Sequence, residues 1–243
     1  MIGAIRAWDV LLHPIVTIRC FGWKTFFRTL SCGSKQTFLS LLNDCAYFGS
    51  ADSQAAEIVK QCVELELRAK QLYLTLAGAT AEAQSLSQFF VALAQQEQDH
   101  ADLLQLCMAA SNRVGWRYKD LQVWRSHLVR LNQEMSEAEI SASNVSDVES
   151  AMRLVVHIES SEVNQVFLAV IAASNSDFVK KLRPFQCALE VHLAYIATRI
   201  PELTPSLWLQ LLPGELLFSS AKRPSEATAC TDDAEVAVAG PPR

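Results

Sequence analysis

The stretch AQQEQDHADLL, residues 94–104, places Glu97 and His100 on the apolar face of a predicted helix. Three apolar residues continue that face at steps of three and four: Phe90, Leu93 and Leu104. A buried carboxylate beside a buried imidazole is costly unless another group pairs with both. The stretch therefore predicts either a satisfied polar pair inside a helical core or a metal site.

The composition of the 243-residue chain favours an all-α protein. Glycine and proline number only eight each, while Ala, Leu, Gln and Glu are abundant, which favours helix over sheet. Half of the residues are hydrophobic, enough for a sizeable core. The formal net charge of −5 argues against nucleic acid as the main partner.

The cysteines and the N-terminal sequence indicate a reducing compartment. The seven cysteines are scattered without a CxxC pair, which argues against a zinc ribbon or a rubredoxin-type iron site. The apolar N-terminal stretch is interrupted by Asp9, His13 and Pro14, so it is a poor signal peptide. No uncharged run reaches the roughly 18 apolar residues that cross a bilayer. We expect a cytoplasmic protein.

Four long helical patterns occupy the middle of the chain. The first ends at Gly78 and the fourth stops before Pro201; the four span about residues 52–76, 81–110, 146–173 and 177–199. The long segment between the second and third contains a further helix at about 121–134. Short connections within each pair and a long one between them predict two antiparallel hairpins joined by a crossover.

The chain accordingly divides into a helical bundle with flanking segments. Residues 1–46 form a basic and aromatic helical extension, which either covers one end of the bundle or docks to a membrane surface or partner protein. The bundle covers residues 47–200. Residues 201–219 are predicted to form a small amphipathic cap, and residues 220–243 a disordered tail.

Charged or imidazole side chains interrupt the apolar stripe of every long helix. Six residues do so: Glu66, Glu97, His100, Glu159, Glu162 and His192. Four carboxylates cannot all stay ionised in a low-dielectric core without cations or protons. Because oxygen and nitrogen ligands inside a bundle suit iron or manganese, the pattern predicts a metal site.

These motifs resemble the ferritin-like superfamily, and rubrerythrins most closely. The similar stretches are ELRAKQLY at 66–73, FVALAQQEQDHA at 90–101 and IESSEVNQVF at 158–167. The superfamily takes one Glu from each of two helices and Glu-x-x-His from each of the other two. The resemblance implies the following assignments: ligands at Glu66 and Glu159, a bridging ligand at Glu97, a terminal ligand at His100, and an extra ligand at Glu162.

The fourth helix departs from this pattern. Leu189 stands three residues before His192, where the family has a glutamate. Glu190, the nearest carboxylate, lies about 160° around a regular helix from His192. A bulge near Pro184 would turn Glu190 inward and make it a further metal ligand. Without the bulge one bridging carboxylate is absent, and Glu162 would have to compensate.

The resemblance implies iron-dependent redox chemistry with peroxide or oxygen, of the peroxidase or ferroxidase type. Two iron ions are expected, or one if the second position is incomplete, with manganese as the alternative metal. Tyr73 and Tyr195 face the core near the ligands and serve either redox chemistry or packing. Because the sequence has no CxxC pair, we expect an external electron donor protein, and we expect a homo-oligomer. The alternative is a non-catalytic ferritin-like module with a degenerate metal site, acting in iron binding or docking.

Overall fold

The computed structural model describes residues 53–111, 115–161, 163–181 and 183–204, most of which are helical. The helices are α1 (Ser53–Ala79), α2 (Gln84–Ser111), α3 (Tyr118–Gln122), α4 (Arg125–Ala142), α5 (Val148–Ser160), α6 (Val163–Ala173), α7 (Asp177–Lys181) and α8 (Arg183–Leu203). Apart from one isolated bridge between Trp116 and Ser174, the described ranges contain no β-structure. The prediction of an all-α chain is confirmed for these residues. The extension at 1–46 and the tail at 220–243 lie outside them.

Helices α1 and α2 form an antiparallel hairpin, as predicted. The connection is residues 80–83, and the Ser87 hydroxyl of α2 donates to the Ala77 carbonyl of α1 at 3.0 Å. Further from the turn, Lys70 Nζ donates to Gln98 Oε1 at 2.8 Å. The pairs 77/87 and 70/98 advance in opposite directions along the two helices, so the hairpin stays in contact over much of its length.

Helix α6 runs parallel to α2, whereas α8 runs antiparallel to it. Cys107 Sγ lies 4.0 Å from the Val170 carbonyl, and Ser111 Oγ lies 2.5 Å from Ser174 Oγ. Both members of these pairs advance together, which defines the parallel direction. For α8 the partners run in opposite order along α2, with residue 192 beside 96 and residue 195 beside 89. The chain must therefore travel back along the molecule between α2 and α5.

Helix α4 makes this return along the outside of α1. Arg68 of α1 contacts α4. Its guanidinium donates two hydrogen bonds at 2.8 Å to the carboxylate oxygens of Glu139 and one at 3.0 Å to Asn132 Oδ1. The paired guanidinium lowers the pKa of Glu139. The main helix of this connection lies at Arg125–Ala142, whereas the sequence predicted a helix at about 121–134.

The third predicted helix is not continuous. It divides into α5, which ends at Ser160, and α6, which begins at Val163, and Ser161 has an extended ψ of 172°. The Ser161 hydroxyl donates to the Ile158 carbonyl and accepts from the Val163 backbone N–H, so the side chain replaces helical backbone bonds. By length and composition the stretch Val148–Ala173 could cross a membrane, yet it carries the buried Glu159 and its second half packs on α2.

The fourth predicted helix has different ends. Asp177–Lys181 forms the separate short helix α7, and α8 continues through Pro201 to Leu203. A proline in a helix removes one hydrogen bond to the carbonyl four residues earlier, a loss that the final turn tolerates because little helix follows. The prediction that this helix stops before Pro201 is therefore wrong. The rest of the predicted cap, residues 205–219, lies beyond the described residues.

The core forms where the apolar stripes meet. The three stripe residues predicted around Glu97, namely Phe90, Leu93 and Leu104, are fully buried. Phe89 and Phe90 lie with ring centroids 5.5 Å apart, and both are almost completely buried. Side chains of this size contribute most of the apolar area that drives the helices together.

We expect Phe90→Ala to lower the free energy of unfolding by about 3–5 kcal/mol, since it leaves a cavity in this core. The matched control is Val91→Ala on the same helix, where the wild-type side chain is 50% exposed. That control should change stability by no more than about 0.5 kcal/mol. Urea unfolding followed by circular dichroism measures both, and equal effects would contradict the placement of α2.

Candidate metal centre

Five ionisable side chains from four helices meet in the interior. They are Glu66 from α1, Glu97 and His100 from α2, Glu159 from α5 and His192 from α8. Each is at most 5% exposed. Every one of them occupies a position on the apolar stripe of its helix, so the packing that buries the stripes also brings these groups together.

The five residues form two groups with ligand geometry. One is Glu66, Glu97 and His100; the other is Glu97, Glu159 and His192. In each group the potential ligand atoms lie within 4.8 Å of one another. We call them the His100 triad and the His192 triad. Glu97 belongs to both, so a single carboxylate joins the two positions.

The two oxygens of Glu97 face different triads. Its Oε2 lies 3.2 Å from His100 Nδ1, and its Oε1 lies 3.5 Å from His192 Nε2. The imidazole rings themselves are edge-on, with centroids 5.0 Å apart. A carboxylate in this orientation can bridge two cations, one on each oxygen. This is the role that the resemblance implied for Glu97.

The carboxylates have only histidines as ion-pair partners among the described residues. Burial raises the pKa of Glu97 to about 8, although both imidazoles oppose the shift. Burial lowers the pKa of His100, but its contacts with Glu66 and Glu97 outweigh burial and raise the pKa well above its usual value. At neutral pH, protons on Glu97 and His100 thus supply the positive charge that a metal ion would supply. Metal binding would displace these protons.

Three further residues hold the His192 triad in place. The Tyr73 hydroxyl donates to Glu159 Oε1 at 2.5 Å, and Asn164 Nδ2 lies 3.2 Å from Glu159 Oε2. Gln96 Oε1 lies 2.7 Å from His192 Nδ1. Burial raises the pKa of Tyr73, and the adjacent Glu159 raises it further, so the phenol stays protonated and donates.

Two of these supporting residues were missed by sequence reasoning. Gln96 sits beside Glu97, and a glutamine next to a stripe carries no signal of its own. Asn164 follows Glu159 by five residues, a spacing that does not share a face in a regular helix. The break at Ser161 brings them together. A Ser-Ser pair followed by Asn was the available clue to this break, since these residues compete for backbone hydrogen bonds.

The remaining predicted site residues lie apart from the two triads or outside the structure. Glu162 is outside the described residues. Glu190 is half-buried and belongs to neither triad, whereas Leu189 is 3% exposed on the same side of α8 as His192. Helix α8 runs without a bulge from Arg183 to Leu203. Tyr195 is partly buried and stacks on Phe89 with ring centroids 5.8 Å apart, a packing contact.

The donor set fits iron or manganese. Three carboxylates and two imidazoles offer oxygen and nitrogen ligands without a thiolate, the mixture that suits these metals. Cys62, one turn before Glu66, is buried and lies outside both triads, and burial raises the pKa of its thiol. The chain can therefore hold one or two cations through these side chains.

Because Glu97 belongs to both triads, we expect Glu97→Gln to weaken both metal positions at least tenfold. Glu66→Gln is the comparison, since it alters only the His100 triad and should leave about one metal ion per chain. Elemental analysis after anaerobic loading measures both variants. Retention of two metals by Glu97→Gln would contradict a shared ligand.

The position before His192 gives a second prediction. Leu189→Glu places a carboxylate on the buried side of α8 and should tighten metal binding, because it completes Glu-x-x-His. Glu190→Ala should leave the metal content unchanged, since Glu190 belongs to neither triad. Metal titration of both variants beside the wild type tests this. A metal loss confined to Glu190→Ala would show that Glu190 is the ligand. A Leu189→Glu protein that binds no more metal and is several kcal/mol less stable would show an unpaired buried charge.

Comparison with known proteins leaves the family open. No protein-family model, curated protein or solved structure matches this chain. The function is therefore inferred from the helix directions, the two triads and their charges.

Proposed function

We propose that this chain is a ferritin-like carboxylate protein of the rubrerythrin type, which binds two iron ions and uses them in redox chemistry with peroxide or oxygen. The observation that carries the proposal is the shared ligand Glu97, with one oxygen toward each triad. If the cluster were only a buried ion pair, one carboxylate and one cationic side chain would be enough. Three carboxylates, two imidazoles and no lysine or arginine partner within the described residues suit a pair of divalent cations.

The helix directions support the same proposal. An antiparallel α1–α2 hairpin, α6 parallel to α2, and α8 antiparallel to α2 require one long crossover, which α4 supplies. Ferritin-like bundles have this connectivity and place their metal ligands on facing helices. A simple up-down-up-down bundle, joined by short loops, would instead place α2 and the helix after it antiparallel.

Bound iron ions supply the electron exchange with peroxide or oxygen. In the peroxidase reaction, peroxide takes up two electrons and two protons and leaves as two waters, and the electrons come from an external donor protein. In the ferroxidase reaction, ferrous ions are the substrate and each gives one electron to oxygen. The side chains of this protein provide the geometry for both reactions and exclude bulk water.

The roles of individual residues follow from their contacts. Glu97 would hold both ions, with Glu66 as a further ligand in the His100 triad and Glu159 in the His192 triad. Tyr73 holds Glu159 through a hydrogen bond and keeps one of its oxygens turned away from His192. The ring of Phe167 lies 4.8 Å from that of His100 and closes the His100 triad on its apolar side. Manganese is the alternative metal for the same donors.

A non-catalytic ferritin-like module is the second candidate, and Leu189 is the observation that favours it. The family would have a carboxylate three residues before His192, where this chain buries a leucine. In that case the bundle binds one metal ion or none, and the protein acts in iron binding or in docking to a protein or membrane. A homo-oligomer and docking through residues 1–46 are part of both proposals, as is a cytoplasmic location.

We expect the metal-free full-length protein to take up between one and two iron ions per chain during anaerobic loading. The loaded protein should then consume peroxide, or oxidise added ferrous iron, faster than Glu97→Gln treated in the same way. Elemental analysis measures the uptake, and absorbance assays measure the two reactions. Well under half an iron or manganese per chain would overturn the metal-binding proposal. Normal uptake with no rate above Glu97→Gln would favour the non-catalytic module.

A further inference from the structure

The two triads differ in how firmly their ligands are held. His192 directs Nδ1 at Gln96 Oε1, 2.7 Å away, and Nε2 at Glu159 Oε2, 2.8 Å away. An amide oxygen only accepts hydrogen bonds, so Gln96 requires the proton of a neutral His192 on Nδ1. A second proton, on Nε2, lets the imidazolium donate to Glu159 Oε2, and a cation that displaces this proton would meet a lone pair directed at the triad. A histidine oriented in this way is ready to bind a cation without rotating its ring.

Glu159 is held at three atoms. Its Oε1 accepts from Tyr73 at 2.5 Å, while Asn164 Nδ2 lies 3.2 Å from Oε2 and 2.9 Å from the main-chain oxygen. Asn164 spans the break between α5 and α6 and ties the end of α5 to the carboxylate it carries. Hydrogen bonds of this kind, together with the nearby His192, outweigh burial and lower the pKa of Glu159.

The His100 triad lacks comparable support. His100 Nε2 is buried and has no hydrogen-bond partner in the part of the chain that the structure describes. The only ion-pair contact of Glu66 there is with His100 Nδ1, at 3.8 Å. The ring of His100 packs on Phe167, which fixes its plane but offers no acceptor. A cation entering this position would have to order its ligands itself.

We propose that the two cation positions are unequal, with the His192 triad binding the first and tighter ion and Gln96 acting as its positioning residue. The inference rests on the proposed function, because it concerns the same two-metal site. Its physical basis is preorganisation: ligands already held in the bound orientation lose less conformational freedom when the ion arrives. The His100 triad fills second, because only Glu97 among its three side chains is held by the first ion.

The test is a titration of the metal-free full-length chain with Co²⁺ alone, followed by its visible absorption and by calorimetry. The wild type should bind in two steps of different affinity. Gln96→Leu removes the acceptor and should weaken the tighter step by about 10- to 100-fold while leaving the weaker step in place. Gln96→Glu keeps an acceptor oxygen and should retain the tighter step.

Gln95→Leu is the matched control, because Gln95 is the exposed neighbour of Gln96 and, within the described ranges, its side chain pairs only with Asp99. It should leave both steps unchanged. Glu66→Gln should abolish the weaker step alone. Tyr73→Phe, which frees Glu159 Oε1, should weaken the tighter step and provides a second variant if Gln96→Leu does not fold. Thermal unfolding of each metal-free protein checks folding.

If the wild type binds in two steps but neither Gln96→Leu nor Tyr73→Phe weakens the tighter step, the inference is overturned. The two-metal site itself would still stand. Loss of the tighter step in Glu66→Gln would overturn it as well, because the first ion would then sit in the His100 triad. No Co²⁺ binding by the wild type would overturn the proposed function itself. These outcomes separate the two proposals.

Discussion

The burial of the Glu97 carboxylate is the constraint on which the rest of this core depends. Removing a charged carboxylate from water costs several kcal/mol unless protons, cations or hydrogen bonds compensate. Here burial raises the pKa of Glu97 to about 8; the two imidazoles oppose the shift, and the second carboxylate, Glu66, adds to it. A proton on Glu97 or a bound metal ion would each offset this cost.

The break between α5 and α6 lies next to this cluster of ionisable side chains. The division of α5 from α6 at Ser161 stands two residues from Glu159 and allows Asn164 to reach both the carboxylate and the main chain. In contrast, α8 stays regular beneath Leu189 and His192, so no bulge turns Glu190 inward. Backbone hydrogen bonds are lost near the site where α5 ends, whereas α8 keeps its own. These two backbone conformations determine which carboxylates can reach the triads.

The thiol of Cys107, in the core beside the site, is chemically inert. Cys107 is fully buried near Ser111 and Ser174, and burial raises the pKa of its thiol to about 12. A thiol in this state is a poor nucleophile and a poor metal ligand at neutral pH. The packing of α2 against α6 therefore leaves this sulfur protonated, as expected for a small apolar core residue, whereas the oxygen and nitrogen donors come from α1, α2, α5 and α8. The potential ligand atoms of the site are consequently oxygen and nitrogen, without sulfur.

Periodicity in the sequence was enough to predict the helical class and the inward positions of Glu66, Glu97, His100, Glu159 and His192, because the side chains on one helical face repeat every three to four residues. The short connection after the first helix predicted the α1–α2 hairpin. Only the tertiary structure decided that Glu97 turns one oxygen to each triad, that Gln96 and Asn164 support one triad, and that Glu190 lies outside both. Those features depend on distances between helices and on a break in one of them, and no spacing along a single helix encodes either.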